Sequence, residues 1–420
     1  MRIVRRSDTL VAVRHALIPL LVACGSSTTS SVPMTTAATS TTTSTIVEVA
    51  GPPLGDPGQP PAGSTPEGQV LALVNEFRRR AGMPPVVYDN TLSQGCREHA
   101  NYMVLNRGTH AMYHLNAHHQ DPKLPGATAA GAECGANADL SHSVENIPDA
   151  VRGWMGSLYH RQPVIAPYVA RVALGYAKLP GGNYAVALRF VLGRYDSRLY
   201  PVMYPADGNV DVPVDFHSEV PSPLPRVPYA GHPISLVVPV DDPITDVTAK
   251  LVDDTGREVP CFVSTPEQPA TSYSPRNGGI IGVIPQKPLR AGTRYTASIA
   301  ANWKGAAHQW TASWTTMKRV TVDASDETAL RAALGKPALV RGIIKHASDI
   351  SGNMYLTLYE HPGSKGVAKV TLIVPTSNAK YRPHELRGTA VEVEATPSIY
   401  LGSIQLDASL NGPGVWRFIK

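Results

Sequence analysis

The sequence predicts a multi-domain α+β protein in which a helix-flanked sheet is followed by two all-β domains. Its 420 residues are too many for one ordinary hydrophobic core, so two or three domains are expected. Only 17% of the residues are charged, and 38 Pro and 35 Gly indicate short strands joined by many turns. Helical apolar spacing dominates the first part of the chain, whereas short alternating runs dominate after about residue 196.

The first 23 residues have the features of a targeting segment. Basic residues precede an apolar run at 16–23, and Cys24 follows at once. The run Leu21-Val22-Ala23-Cys24 resembles a bacterial lipobox, in which the leader is cleaved and the cysteine thiol is acylated, for example with palmitate. An ordinary secretory signal with an unrelated cysteine is the alternative. Because several acyl chains anchor a protein stably, we expect a lipoprotein of the cell envelope, lipidated at Cys24 and held at the outer membrane or cell surface.

Residues 24–65 are predicted to combine the lipid anchor with a disordered linker. Ser and Thr dominate 26–45, and Pro and Gly dominate 51–66, so neither stretch can bury a core. The formal net charge is +5, of which the leader contributes three charges because it holds four Arg and one Asp. The rest of the chain is close to neutral, and we therefore do not expect nucleic acid as a partner.

The first folded region is predicted at 66–195. Thr65 and Pro66 form a good helix start, and a second helix is expected to begin near Asn90. A further helix at about 147–159 and strands at 172–177 and 184–193 complete a sheet flanked by helices. Because export permits disulfides, Cys96 and Cys134 of this region are a candidate pair, which leaves Cys261 as a small buried residue.

Residues 196–317 and 318–420 are predicted to form a β-sandwich and a small barrel. The first has short alternating strands separated by turns, and its 289–295 segment and its Trp310 and Trp314 resemble bacterial Ig-like modules. The second has five predicted strands with a longer link between the third and the fourth, an order that resembles the OB fold. Tyr355 and Tyr359 would face one side of that barrel, where we expect surface tyrosines rather than a base-stacking platform.

Three blocks of the first folded region carry a family resemblance. Residues 73–86 (LVNEFRRRAGMPPV), 92–100 (LSQGCREHA) and 154–161 (WMGSLYHR) follow one another at suitable spacing. Together they resemble the superfamily of cysteine-rich secretory proteins, antigen 5 and plant pathogenesis-related proteins, known as CAP or SCP-like domains. The resemblance covers about 66–195 and implies an α-β-α sandwich with a polar cleft.

The resemblance also implies cleft residues. The fullest members of the superfamily hold two histidines and two acidic residues there, sometimes with a divalent metal, since imidazole nitrogens and carboxylates are ligands for zinc-like ions. His160 matches the second histidine. The first is sought among His110, His114, His118 and His119, with His118 or His119 favoured. Ala136 and Ser157 stand where acids would be, so Glu133 is the candidate carboxylate, and zinc or another divalent metal is the candidate cofactor.

The sequence favours binding over catalysis. It contains no Gly-x-Ser-x-Gly elbow, no His-Glu-x-x-His and no phosphate-binding glycine loop, and a Ser157–His160 dyad would lack an orienting carboxylate. We therefore expect a surface lipoprotein whose cleft binds an extracellular or envelope ligand: a lipid, a glycan or a protein. The alternatives are a metal-assisted hydrolase that uses the cleft histidines, and an adhesin or scaffold that acts through the β domains.

Overall fold

A computed structural model of the chain describes residues 48–49, 54–216, 218–224, 227, 229–271, 275–360, 368–375, 382–400, 402–408 and 415–419. The predicted leader and the lipidation site Cys24 lie outside the described residues, as does most of the predicted linker. Within the part that is described, no helix combines the length and apolar character that crossing a membrane requires.

The first region contains five helices around one sheet. Short 3₁₀ helices lie at His110–Met112 and His114–His118. The sheet has the strand order β2-β4-β5-β3, with β2 parallel to β4 and the other pairs antiparallel. In chain order the elements are β1 (Glu48–Val49), α1 (Pro66–Arg80), β2 (Val87–Tyr88), α2 (Asn90–Leu105), α3 (Ala129–Ala136), β3 (Ala138–Val144), α4 (Ile147–Gly156), α5 (Arg161–Ile165), β4 (Val169–Lys178) and β5 (Tyr184–Leu192).

Side-chain caps fix where α1 and α2 begin. The Thr65 hydroxyl accepts the backbone N–H of Gly68 at 3.2 Å, and Pro66 occupies the first turn of α1, where no N–H is needed. Asp89 caps α2 in the same way by accepting the N–H of Leu92 at 3.0 Å. The helix predicted at 147–159 ends earlier, because the chain becomes extended at Ser157.

Helix α2 lies between β4 and α3 and is linked to both. A disulfide joins Cys96 of α2 to Cys134 of α3, whose Cα atoms are 5.2 Å apart. On the sheet side, a Cβ at Gly175 of β4 would lie only 1.9 Å from the carbonyl carbon of Cys96. Glycine at 175 therefore lets the backbones of α2 and β4 approach closely.

The second region forms two antiparallel sheets, with strand orders β10-β11-β8-β7 and β13-β12-β9. Cys261 is partly rather than fully buried, and burial raises the pKa of its thiol to about 12. The strands are β6 (Tyr195–Asp196, paired with β1), β7 (Val202–Tyr204), β8 (Ile234–Val237), β9 (Ile244–Asp253), β10 (Cys261–Ser264), β11 (Ile280–Pro285), β12 (Arg294–Trp303) and β13 (Ala306–Thr315).

The third region also divides into two sheets, with strand orders β14-β15-β19-β22 and β16-β17-β18-β21-β20. The elements are β14 (Val320–Asp323), α6 (Glu327–Ala332), β15 (Ala338–Ile343), β16 (His346–Ile350), β17 (Asn353–Glu360), β18 (Ala368–Pro375), β19 (Ala390–Ala395), β20 (Ser398–Tyr400), β21 (Ser403–Asp407) and β22 (Val415–Phe418).

The predicted small barrel of the OB type is not confirmed, because the described residues of the third region form no closed barrel. Of the five predicted strands, β15 and β19 lie in one sheet, whereas β17, β18 and β21 lie in the other. The reason is the pairing of β15: it hydrogen-bonds to β14 and β19, so the strands do not close into a ring. The region is thus described as two sheets around a core of its own.

The first and second regions share a single hydrophobic core. One continuous cluster of buried side chains runs from Val70 of α1 through Leu174 of β4 to Leu236 of β8 and Trp314 of β13. At the junction, a Cβ at Gly282 would lie 2.7 Å from the side chain of Leu158. The chain between α4 and α5 therefore packs directly against β11, and this contact brings residues of the second region to the predicted cleft.

Candidate functional site

His160 lies between α4 and α5, where it is the N-cap residue of α5. Its Nδ1 is 2.8 Å from Oε2 of Glu219, a residue in the segment between β7 and β8. The same carboxylate accepts the backbone N–H groups of Leu158 at 2.7 Å, Tyr159 at 2.9 Å and His160 at 3.0 Å. Three successive N–H groups and one imidazole thus surround a carboxylate whose side chain is only 2% exposed.

This carboxylate determines the protonation of His160. Burial by itself would lower the pKa of the imidazole, but the hydrogen bond to Glu219 and the charges of Asp139 and Glu219 raise it to about 8. Near pH 7 His160 is therefore mostly protonated, with Nδ1–H donated to Glu219. The ring is 16% exposed, so it remains accessible to a ligand.

Asp139, the second residue of β3, is the other acid near His160. It is 7% exposed, and its Oδ2 atom has no hydrogen-bond partner within the described part of the chain. Burial raises the pKa of this carboxyl, the charge of His160 lowers it and the charge of Glu219 raises it, which places it at about 7. Asp139 and His160 therefore titrate in the same pH range.

His118, at the end of its 3₁₀ helix, is the second partly buried histidine. Its Nδ1–H donates to the carbonyl oxygen of Gly135 at 3.0 Å. Burial lowers the pKa of His118, the bond to Gly135 raises it, and the charge of His160 lowers it. His118 is therefore expected to be neutral near pH 7, where His160 is mostly protonated.

The loop that carries His118 is fixed by a third, fully buried histidine. His99 on α2 donates from Nε2 to the carbonyl of Ala117 at 3.0 Å, and its Nδ1 accepts the side-chain amide of Gln120 at 3.1 Å. Burial lowers the pKa of His99 to about 4, so it stays neutral. A Cβ at Gly135 would lie 2.2 Å from the His99 ring, so glycine is needed for this packing.

The other predicted site residues lie elsewhere. His119, His110 and His114 are exposed. Glu133 is 61% exposed and forms an ion pair with Arg189 at 2.7 Å, which places it on the surface. The Ser157 hydroxyl donates to the carbonyl of Trp154 at 2.7 Å, so it is not activated by His160.

The described residues include no group of three or more His, Cys, Asp or Glu side chains arranged to hold a metal ion. Both His118 and His160 use Nδ1 in hydrogen bonds, which leaves Nε2 of each ring as the remaining nitrogen. Two such nitrogens are fewer protein ligands than zinc sites ordinarily have. The residues present therefore do not fit the predicted divalent metal.

Comparison with known families assigns most of the first region to a family. The model of the cysteine-rich secretory protein family, CAP, matches residues 71–195. Residues 71–195 form a CAP domain. None of the curated proteins that were searched matches the chain.

Two residues of the CAP-domain cleft were not found from the sequence. Asp139 lies two positions after the Gly135-Ala136-Asn137 run, and the acid was sought within that run and before it. Glu219 lies outside the CAP domain altogether and carries no motif. The sequence signal was weak in both cases: Asp139 is an acid at the start of a strand, and Glu219 is one of three acids in 211–224, a stretch rich in Pro and Val.

Proposed function

We propose that this chain is an exported bacterial lipoprotein whose CAP domain binds a ligand in the cleft beside His118 and His160. The observation that carries the proposal is the His160–Glu219 pair: a partly exposed, charged imidazole held in one orientation by a buried carboxylate. A fixed donor of this kind suits recognition of a polar group on a lipid, glycan or protein.

Binding is favoured over catalysis because no activated nucleophile accompanies His160 among the residues that the structure describes. The hydroxyl of Ser157 is committed to the Trp154 carbonyl, and the His118 imidazole is committed to the Gly135 carbonyl through Nδ1. Nucleophilic catalysis requires a nucleophile within hydrogen-bond reach of its base. The arrangement therefore supports a recognition site.

A ligand panel tests this proposal. The full chain is applied to a glycan array and to a series of phospholipid and sterol vesicles, in parallel with His160→Gln and with Glu133→Gln as a matched control. A ligand bound by wild type should lose at least about tenfold in affinity with His160→Gln, the loss expected from one charge-assisted hydrogen bond, and nothing with Glu133→Gln. Failure to bind any member of the panel, or binding that His160→Gln leaves unchanged, would contradict the proposal.

A hydrolase is the second candidate, and the same pair is the observation that favours it. A histidine oriented by a carboxylate through Nδ1 is one half of a general acid–base arrangement. Purified wild type and His160→Ala are compared for metal content and for hydrolysis of ester and peptide substrates, with and without added Zn²⁺. Metal binding or turnover that depends on His160 would establish this candidate, and their absence would remove it.

The remaining assignments concern the architecture. We propose that 66–195 is the extent of the CAP domain, that 196–317 is an Ig-like module, and that 318–420 has an OB-like strand order without the closed barrel. The two antiparallel sheets of the middle region support the second assignment. A spacer or adhesive role of these β regions would appear as surface binding that survives His160→Gln.

The lipid anchor at Cys24 is proposed from the lipobox-like run alone. Bacteria that express the full chain are grown with radioactive palmitate, and incorporation is compared between wild type and Cys24→Ala. Label that is present in wild type and lost in the variant supports the anchor. Equal labelling, or a wild-type protein released unlabelled into the medium, would contradict the proposed attachment and the proposed place in the cell envelope.

A further inference from the structure

We propose that Glu219 is the positioning residue of the cleft: it fixes the orientation and tautomer of His160 and is supplied from outside the CAP domain, so that the ligand site is composite. This inference rests on the proposed function, since it concerns the same cleft, but it makes a claim about His160 that can be measured without any ligand.

The Glu219 carboxylate accepts hydrogen bonds from three backbone N–H groups and from the His160 ring. Glu219 Oε1 accepts the N–H of Leu158, and Oε2 accepts the N–H of Tyr159 and of His160 as well as Nδ1–H of the His160 ring. Backbone and side chain of His160 are thus held by the same group. A ring bonded at Nδ1 presents its other nitrogen, Nε2, for interaction with a ligand.

The CAP domain itself does not provide this carboxylate. Ser157, where the family resemblance places an acid, uses its hydroxyl within its own helix end. Glu133 is exposed and paired with Arg189. Asp139 influences His160 through charge, and its Oδ2 lacks a hydrogen-bond partner among the described residues. Glu219 is therefore the carboxylate that orients the His160 ring by a hydrogen bond.

The neighbouring contacts attach the chain on both sides of His160 to the second region. The Tyr159 hydroxyl donates to Oδ1 of Asn277 at 2.7 Å, and the side-chain amide of Gln162 donates to the carbonyl of Gly278. Next to His160, the Arg161 guanidinium is fully buried and donates to the carbonyl of Pro233 at 2.6 Å. Four consecutive positions, 159–162, are therefore attached to the second region. The position of Glu219 relative to His160 thus depends on how the two regions pack together.

His160 and His118 differ in protonation, and this difference determines which polar groups of a ligand each can bind. The protonated His160 offers Nε2–H as a donor, whereas the neutral His118, with Nδ1–H given to Gly135, offers Nε2 as an acceptor. The two rings thus offer one donor and one acceptor nitrogen, whereas a divalent cation would need both nitrogens deprotonated.

The test is a pH titration of the full chain labelled with ¹³C and ¹⁵N in histidine, with the His160 signal assigned from the spectrum of His160→Gln. The other titratable groups around the pair are Asp139 on β3, His118 in its loop, Tyr159, and Arg161 on α5. We expect a His160 midpoint near 8 in wild type. Glu219→Gln should lower it by at least about one unit, whereas Glu133→Gln should leave it unchanged.

A midpoint that Glu219→Gln does not move would overturn the inference, because a merely structural role would change stability alone. If that variant fails to fold, the wild-type ¹⁵N shifts above the midpoint decide: neutral His160 must be the Nδ1–H tautomer, and the Nε2–H tautomer would overturn the inference. Neither readout needs a ligand, so an empty result from the ligand panel contradicts the proposed function and leaves the role of Glu219 standing.

Discussion

Asp139 and His160 titrate against each other in a buried environment, and this gives the protein a specific dependence on pH. The pKa of Asp139 is raised in the folded state from 3.8 to about 7, and that of His160 is raised from 6.5 to about 8. Each raised pKa stabilises the fold while the group holds its proton. Both contributions are therefore complete at low pH and are lost as the pH rises through the folded-state values.

Replacing Asp139 by Asn should remove one part of this dependence. In wild type the contribution of Asp139 is present below about pH 4 and is lost as the pH rises to about 7, at a cost of up to about 4 kcal/mol. The side chain of Asp139→Asn cannot ionise. The difference in free energy of unfolding, variant minus wild type, should therefore be larger at pH 8 than at pH 4. Urea denaturation at both pH values measures the change, and parallel pH profiles for the two proteins would contradict the assignment.

The cleft was only half predictable at the level of single residues. His160 and His118 lie in runs that resemble the CAP family, and both are partly buried. Glu219 could not be found in this way, because a residue that enters a site from another region leaves no spacing pattern with it. Glu133 was chosen for its closeness in sequence, yet α3 turns its side chain toward Arg189 and solvent.

At the scale of elements, the placement of α2 determines the shape of the CAP domain. The helix is held against α3 by the Cys96–Cys134 disulfide and against β4 by the close approach at Gly175. His99 projects from the same helix to hold the loop that carries His118. A change in how α2 packs on the sheet is therefore expected to reach the cleft.

Gly175→Ala tests this packing. The new Cβ would lie 1.9 Å from the backbone of Cys96, which cannot move without shifting α2, so we expect a loss of at least about 3 kcal/mol in the free energy of unfolding. Gly181→Ala, where no atom lies within 4 Å of the added Cβ, should change it by less than about 1 kcal/mol. Urea denaturation compares the two variants, and equal stabilities would show that α2 and β4 do not pack as described.

Sequence periodicity predicted α1, α2, α4, β4 and β5, but it did not predict α3 or β3, which lie within 106–146. It predicted α1 from the helix start at Thr65 and Pro66 and from helical apolar spacing. It did not predict the division of 318–420 into two sheets, since strand order along the chain leaves open which edges pair. Pairing is decided by contacts between strands far apart in sequence, such as β15 with β19.

At the scale of the molecule, the CAP domain and the region after it are expected to unfold together. Their buried side chains form one cluster, and Arg161 joins them with several buried hydrogen bonds. Its guanidinium donates to Met155 within the CAP domain, to Pro233 in the next region and to Nε2 of His232 at 3.0 Å. Independent domains ordinarily have separate cores, so this junction is stronger than a flexible linker.

Arg161→Met should therefore destabilise both regions at once. It leaves buried carbonyl groups without donors, which costs at least about 3 kcal/mol, and calorimetry should show one shared transition moving to lower temperature. Arg152→Met removes an exposed ion pair with Asp149 and should cost less than about 1 kcal/mol. Two transitions that move separately would contradict a shared core.

The central claim is that His160 in the CAP domain and Glu219 outside it act as one unit. A double-mutant cycle of His160→Gln, Glu219→Gln and the combined variant measures their coupling in the free energy of unfolding. At pH 6.5, where His160 is charged, we predict a coupling of about 1–3 kcal/mol that shrinks at pH 10 as the imidazole loses its proton. Effects that simply add at both pH values, within about 0.5 kcal/mol, would contradict the claim.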